Sequence, residues 1–214
     1  ASQLFNAAPQ IDIGVHLTLS SEWEALKWRP LTYAPSLVDE DGYFLPLVMP
    51  RDGDNRPCLA EADWSLDEIA AEFRAQIELS KHMFVSVTHV SAHMVRHFKE
   101  LAPKAGDCVA ALCAEYGLLD DPLGDGLPRI KGYPNFPRNT QKRIAAFADR
   151  LSELAPGPQV FIDHPGAAST ELDETGHVGY EDVALDRTTC LETLTSPVLQ
   201  KRIHELDIEL ISYK

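Results

Sequence analysis

The chain has 214 residues, of which 44% are hydrophobic and 24% charged, a composition typical of a soluble globular protein. This length fits one domain, 1–214, with a sizeable core. The formal net charge of -14 argues against a general affinity for nucleic acid or anionic membranes, because phosphate binding requires clustered Lys and Arg. The four cysteines are scattered and form no Cys-x-x-Cys pair, which predicts reduced thiols and a cytoplasmic location.

The first element with a clear pattern is the stretch 11–19, which alternates apolar and polar residues as a strand does. Its apolar side chains point to one face. Asp12, Gly14, His16 and Thr18 point to the other. Buried polar groups cost several kcal/mol, roughly, unless they are paired, so this polar row indicates either a site or a half-exposed strand with a hydrogen-bonded histidine.

The next forty residues, 20–60, are rich in proline and glycine and predict an irregular segment. Trp23 and Trp28 lie in it with several other aromatic residues, which argues against disorder. These rings suit stacking on a sugar, and packing against the edge of the core is an equal alternative.

Helices and strands then alternate along the chain. A helix over 65–81 precedes a strand over 84–90, and further histidines follow that strand. The pattern then predicts a helix ending at Gly117, a helix over 140–154, a strand over 160–162, helices over 184–193 and 196–206, and a strand over 208–213.

This alternation predicts an α/β fold with parallel strands and helical crossovers, which is either a barrel or an open doubly wound sheet. No Gly-x-Gly-x-x-Gly motif and no P-loop follows a strand. The usual signs of a nucleotide-binding sheet are therefore lacking, and a (β/α)-barrel-like fold is favoured.

Four of the eight histidines, His16, His89, His93 and His164, lie on predicted strands or at their C-terminal ends. Active sites of parallel α/β folds form at that edge. Neutral imidazoles with a carboxylate are typical ligands of a catalytic divalent metal that keeps a position open for water. The sequence contains no Gly-x-Ser-x-Gly elbow, and no cysteine follows a strand in a turn. A nucleophilic triad is therefore disfavoured.

Three of the histidines have separate predicted roles. His164 precedes Pro-Gly, so a turn is expected to fix its backbone, and an imidazole in general titrates near neutral pH, as general acid–base catalysis requires. His89 is predicted to orient a ligand rather than to be one. His177 lies in a loop that could close over the site.

Several motifs, in order and over almost the whole chain, resemble the YdjC-like carbohydrate deacetylases, the chitooligosaccharide and hopanoid-associated deacetylases. The resemblance lies in Gly14-Val15-His16-Leu17-Thr18-Leu19-Ser20-Ser21-Glu22-Trp23, Trp28-Arg29-Pro30-Leu31, Thr88-His89-Val90 with His93-Met94, His164-Pro165-Gly166 and Arg187.

The resemblance implies a barrel-like deacetylase fold, a divalent metal (magnesium or zinc) and a hydrolase that removes the N-acetyl group from an amino sugar. His16 and His93 match the family's two metal-binding histidines. Trp23, Trp28 and Arg29, with Arg187, are expected to shape the sugar site. The family's third ligand and its base form an Asp-Asp pair after its first strand. The sequence lacks this segment, so the fold is expected to be incomplete at the N-terminus.

A second departure is Ser91-Ala92, where the family usually has Asp-Ser. This departure keeps a second hypothesis open, a catalytically degenerate member that binds carbohydrate or a protein partner without turnover. A third hypothesis is a phosphoesterase on a related barrel, which the acidic composition disfavours. The expected substrate is an acetylated amino sugar, a homodimer is one candidate assembly, and neither nucleic acid nor a membrane is expected as a partner.

Overall fold

A computed structural model describes residues 2–120, 126–132 and 136–213. The internal contacts divide the chain into two compact units, each of which has its own buried cluster. The prediction of one deacetylase domain over 1–214 is not tested by this division and stays a prediction.

Unit 1 comprises 1–22, 27–126 and 212–214. Its described part contains two strands, three α-helices and three short 3-10 helices. The α-helices and strands are α1 (Ser2–Asn6), β1 (Ile13–Leu17), α2 (Leu66–Met83), β2 (Val87–Ala92) and α3 (Pro103–Tyr116).

The two strands of unit 1 pair in parallel, with α2 in the connection between them. A bulge follows Ile13, so that Gly14 lies opposite His89 and His16 lies opposite Ser91. The buried side chains Val15 and Leu17 alternate with these polar positions. The predicted alternation of the first strand is therefore confirmed, over a shorter range.

Polar side chains on α2 hold the long irregular segment of unit 1 in place. The Glu72 carboxylate, which is 1% exposed, accepts hydrogen bonds from the backbone N–H groups of Leu31 and Thr32 and from the Thr32 hydroxyl. One helical turn further, the Gln76 amide both accepts from the Thr18 N–H and donates to the Thr18 carbonyl, as a neighbouring strand would. The segment is thus ordered without being a strand or an α-helix.

The start of α2 uses a relayed cap. The Ser65 hydroxyl accepts from the Glu68 N–H. The Glu68 carboxylate, however, binds the N–H and hydroxyl of Ser36, and the Ser36 hydroxyl accepts from the Ser65 N–H. One cap therefore ties the helix to the irregular segment.

Unit 2 comprises 23–26 and 127–211. Its buried cluster contains Phe136, Phe147, Leu151 and Leu199. Its described helices are α4 (Thr140–Ser152), α5 (Thr170–Asp173), α6 (Val183–Leu194) and α7 (Pro197–Glu205). The Ser196 hydroxyl caps α7, with Pro197 at the first helical position.

Two predicted strands, over 160–162 and 208–213, are wrong. Val160 makes one parallel bridge, to Arg129, and Pro128 beside that bridge has no N–H with which to extend the ladder. At the C-terminus, the side chains of Leu210 and Ile211 are 79% and 65% exposed, so no packing favours an extended strand there.

The fold is therefore mixed α/β, as predicted, and the one sheet in the described residues has two strands. The predicted barrel is not seen in these residues. No described helix is both long enough and apolar enough to cross a membrane.

We predict that Glu72→Ala lowers the free energy of unfolding by about 2–4 kcal/mol, because it leaves buried donors unpaired. Glu78→Ala, on the exposed face of the same helix, should change it by less than about 1 kcal/mol. Urea denaturation of the two variants measures the difference. Equal losses would contradict a structural role for the buried carboxylate.

Candidate functional site

The candidate site of unit 1 begins where β1 and β2 end. Because the bulge places His16 opposite Ser91, the His16 Nδ1 atom lies 2.6 Å from the Ser91 hydroxyl. The His16 ring is solvent-exposed, while Val15 and Leu17 on either side are buried. The strand therefore presents the imidazole outward from a fixed backbone.

The second histidine, His93, follows β2 directly, and its N–H donates to the Leu17 carbonyl at 2.9 Å. Its ring meets the His16 ring edge to face, with centroids 5.2 Å apart. The His93 Nδ1 and His16 Nε2 atoms are 3.3 Å apart. Met94, the next residue, has φ of 66°, a left-handed conformation that costs a non-glycine residue about 1–2 kcal/mol. The chain thus turns sharply just after His93.

A carboxylate that the sequence did not predict for this site, that of Glu22, contacts His93. The Glu22 Oε2 atom lies 2.9 Å from His93 Nε2, and the Glu22 side chain is 7% exposed. Arg56 donates to the Glu22 carbonyl at 2.7 Å, and Asp54 holds the Arg56 guanidinium. Glu22 lies in the Ser-Ser-Glu-Trp motif, but no periodicity links it to the histidines.

The pair of histidines has the spacing of two ligands on one cation. Two nitrogen ligands at about 2.1 Å from a tetrahedral metal lie about 3.4 Å apart, close to the observed 3.3 Å between His16 Nε2 and His93 Nδ1. Within the described ranges, no group of three His, Cys, Asp or Glu side chains is arranged to hold one ion. The described residues thus fit two ligand positions of a metal site.

Asp12 and His89 have other contacts. The Asp12 carboxylate accepts from the Tyr213 N–H, also in unit 1, at 2.8 Å. The His89 ring covers Gly14, where a Cβ atom would lie 2.3 Å from Nε2, and it contacts the Tyr213 ring. Burial lowers the pKa of His89, so its imidazole is neutral near pH 7. Gly14, the position without a side chain on the polar face of the first strand, therefore leaves space for the His89 ring.

Trp28 and Arg29, predicted to shape a sugar site, lie in the same unit. The Trp28 ring contacts the His93 ring, with centroids 6.3 Å apart. Arg29 donates to the Asp41 carbonyl, and its guanidinium lies 4.2 Å from the centre of the Tyr43 ring. Trp28 is thus adjacent to the histidine pair, and Arg29 braces the loop at Asp41.

In unit 2, His164 lies in a segment without regular secondary structure that is docked on α6. The Asp163 carboxylate accepts from the His164 N–H, and the Gly166 N–H donates to the Arg187 carbonyl. A Cβ atom on Gly166 would lie 3.0 Å from that of Arg187. The main chain of Arg187 therefore holds the backbone at Gly166, and the turn predicted at His164 is absent.

Trp23 and His177 also lie in unit 2. Their rings stack with centroids 5.8 Å apart, and Trp23 is only 9% exposed. The His177 N–H and carbonyl form a two-residue bridge with Tyr180, whose ring also contacts Trp23. Of the stacked pair, His177 is the more exposed ring.

The family model described as "YdjC-like protein" matches residues 1–205. The chain belongs to this family. A chitooligosaccharide deacetylase of Yersinia enterocolitica is 30% identical to the YdjC-like chain, over 100% of this chain and 81% of that protein. A carbohydrate deacetylase of Thermus thermophilus is 42% identical over 85 residues, which are 38% of this chain and 27% of that protein.

The YdjC-like chain has the same fold as one solved structure. It is the crystal structure of an Enterococcus faecalis protein described as a candidate for cellobiose-phosphate cleavage. The match has a TM-score of 0.64 at 24% identity and covers 96% of this chain and 78% of that one.

A buried ion network supports the segment that contains His164. The Arg143 guanidinium, 1% exposed, donates to the carboxylates of Asp163 and Asp186, and the Tyr180 hydroxyl also donates to Asp186. Burial by itself lowers the pKa of Arg143, but its hydrogen bonds to the carboxylates of Asp163 and Asp186, and their charges, outweigh this effect and raise the pKa. Sequence patterns gave no sign of this network, because its members are spread over three segments.

The four cysteines are free, and burial raises the pKa of every one of them. For Cys190, burial and the nearby Asp163 charge raise the pKa to about 12. Protonated thiols are poor nucleophiles, which agrees with the preference for metal chemistry over a cysteine nucleophile.

We predict that Asp186→Asn lowers the free energy of unfolding by about 3–5 kcal/mol, because it breaks a buried ion pair from one side. Asp182→Asn removes a half-exposed partner of Arg138 and should change it by less than about 1 kcal/mol. Thermal unfolding, followed by circular dichroism, compares the two. An Asp186→Asn variant with an unchanged free energy of unfolding would show that the network does not stabilise unit 2.

Proposed function

We propose that this protein is a metal-dependent hydrolase that removes the acetyl group from an N-acetylated amino sugar or its oligosaccharide. The observation that carries the proposal is the convergence of His16 Nε2 and His93 Nδ1, 3.3 Å apart, at the C-terminal end of the parallel strands. Membership of the YdjC-like family and relatives named carbohydrate and chitooligosaccharide deacetylases support the substrate class.

His16 and His93 would hold the divalent metal, magnesium or zinc, through these two nitrogens. A bound metal supplies a Lewis acid that polarises the acetyl carbonyl and lowers the pKa of the attacking water. The Asp that completes the ligand set in the family resemblance has no counterpart among the described residues. The role of the two histidines as metal ligands can therefore be tested directly in this chain.

His164 is the acid that we assign to the leaving amine. Expulsion of an amine requires a proton on its nitrogen, and an imidazole can deliver one near neutral pH. The hydrogen bond from the His164 N–H to Asp163, and the anchoring of Asp163 by Arg143, keep the backbone of this residue fixed. Its ring can then be aimed without a large loss of entropy on reaction.

Aromatic and cationic residues give each unit a surface suited to a sugar. Trp28 beside His93, and Arg29 in the same segment, are the recognition residues that we propose in unit 1. His177 is the one that we propose in unit 2, with Trp23 buried beneath it as support. Arg187 would act through its carbonyl, which accepts from the Gly166 N–H and holds the segment that contains His164.

We further propose that β1 and β2 belong to a (β/α)-barrel-like fold. Their parallel pairing across a helical connection is the repeating unit of such barrels. The Enterococcus faecalis structure matches 96% of this chain with a TM-score of 0.64, so the two chains share one fold.

One observation favours a second function, that of a silent family member that binds carbohydrate without turnover. Ser91 gives His16 a hydroxyl partner where the resemblance implies a nearby carboxylate. A protein that binds N-acetylglucosamine oligomers but neither zinc nor magnesium would support this function instead.

We predict that chelation abolishes acetate release from N-acetylglucosamine oligomers and that added zinc or magnesium restores it. His93→Ala should lower kcat/KM by more than about 100-fold, because losing even an outer partner of a ligand costs about 10- to 100-fold. His82→Ala, an exposed histidine on α2, is the matched control and should retain activity. Full acetate release in the presence of chelator would refute the proposed dependence on a divalent metal.

We predict that His164→Ala lowers kcat by about 10²- to 10⁴-fold, the usual contribution of a general acid, while zinc affinity stays unchanged. His204→Ala, exposed on α7, serves as the control. Acetate release and calorimetric zinc titration are measured on the same preparations. A His164→Ala variant with wild-type kcat would remove His164 from the mechanism.

A further inference from the structure

A continuous row of four side chains in unit 1 links Ser91, His16, His93 and Glu22. The contacts are 2.6 Å from Ser91 Oγ to His16 Nδ1, 3.3 Å from His16 Nε2 to His93 Nδ1, and 2.9 Å from His93 Nε2 to Glu22 Oε2. Each imidazole therefore uses both of its nitrogens within the row.

The two ends of the row differ in chemistry. A carboxylate only accepts hydrogen bonds, so Glu22 requires the proton of a neutral His93 to be on Nε2. A hydroxyl both donates and accepts, so Ser91 satisfies His16 in either tautomer. The proton position is thus fixed at His93 and adjustable at His16.

We propose that Glu22 is a positioning residue that fixes the tautomer of His93 and so presents the lone pair of Nδ1 toward His16. The inference rests on the proposed metal site, because that lone pair is the one that would bind the metal. His16 can donate from Nε2 to His93 without metal, and it can turn its own lone pair to the same point when the Ser91 hydroxyl accepts from Nδ1.

The surroundings of Glu22 suit this role. Its side chain is almost fully buried, and its carbonyl is held by Arg56. The preceding residue, Ser21, donates its N–H to the Leu45 carbonyl and accepts from the Trp28 N–H through its hydroxyl. The carboxylate therefore approaches His93 from a backbone that is anchored on both sides.

The first experiment reads the tautomers directly in metal-free protein labelled with ¹⁵N-histidine. Long-range ¹H–¹⁵N spectra are recorded well above the ordinary imidazole pKa of about 6.5. We expect His93 of the native chain in the Nε2–H form. Glu22→Gln and Glu22→Ala should give a mixture of tautomers, and Glu78→Gln, the exposed control, should give none.

The second experiment measures zinc binding by calorimetry on the same variants. Loss of a partner that orients a metal-binding histidine weakens affinity by about 10- to 100-fold, so we expect this loss for both Glu22 variants and none for Glu78→Gln. Glu22→Gln is nearly isosteric, which keeps the comparison valid if Glu22→Ala does not fold.

Ser91→Asp tests the adjustable end of the row. A carboxylate there should fix His16 in the Nδ1–H form and leave His93 in the Nε2–H form. A native His93 in the Nδ1–H form, or Glu22 variants with native tautomers and native zinc affinity, would overturn the inference. A native chain that shows the Nε2–H form and its dependence on Glu22 but binds no zinc would refute the metal site and leave the positioning role intact.

Discussion

The parallel pairing of β1 with β2 decides which side chains of the candidate site meet. The bulge after Ile13 displaces the register by one residue, and this displacement sets His16 against Ser91 and Gly14 against His89. Because side chains alternate across a strand, a different register would exchange the buried and exposed faces. Leu17 and Val90 would then lose their places in the core, so the same packing that stabilises the strands also orients the histidine.

Buried carboxylates organise the parts of both units that are neither helix nor strand. In unit 1, Glu72 binds the backbone N–H groups of Leu31 and Thr32. In unit 2, Asp163 and Asp186 share Arg143. A buried charge is tolerated only when its partners are well placed, and these partners lie far away in sequence. The net charge of -14 therefore includes acidic groups that have a structural role.

The row from Ser91 to Glu22 shows how a few such contacts order a set of polar side chains. Glu22 acts on His93 and Ser91 acts on His16, and the two differ in whether they fix a proton. One end of the row is thus the hydroxyl of Ser91, and the other end is the carboxylate of Glu22.

The sequence by itself determined the elements whose signals are local. The alternation around His16, the Ser65 and Ser196 caps and the stop at Gly117 depend on neighbouring residues, and motifs in order along the chain identified the family. Only the tertiary structure decided that Glu22 binds His93, that Asp12 binds the Tyr213 backbone, and that 208–213 forms no strand. The reason is that these outcomes depend on burial and on partners up to 201 residues apart, which no local pattern encodes.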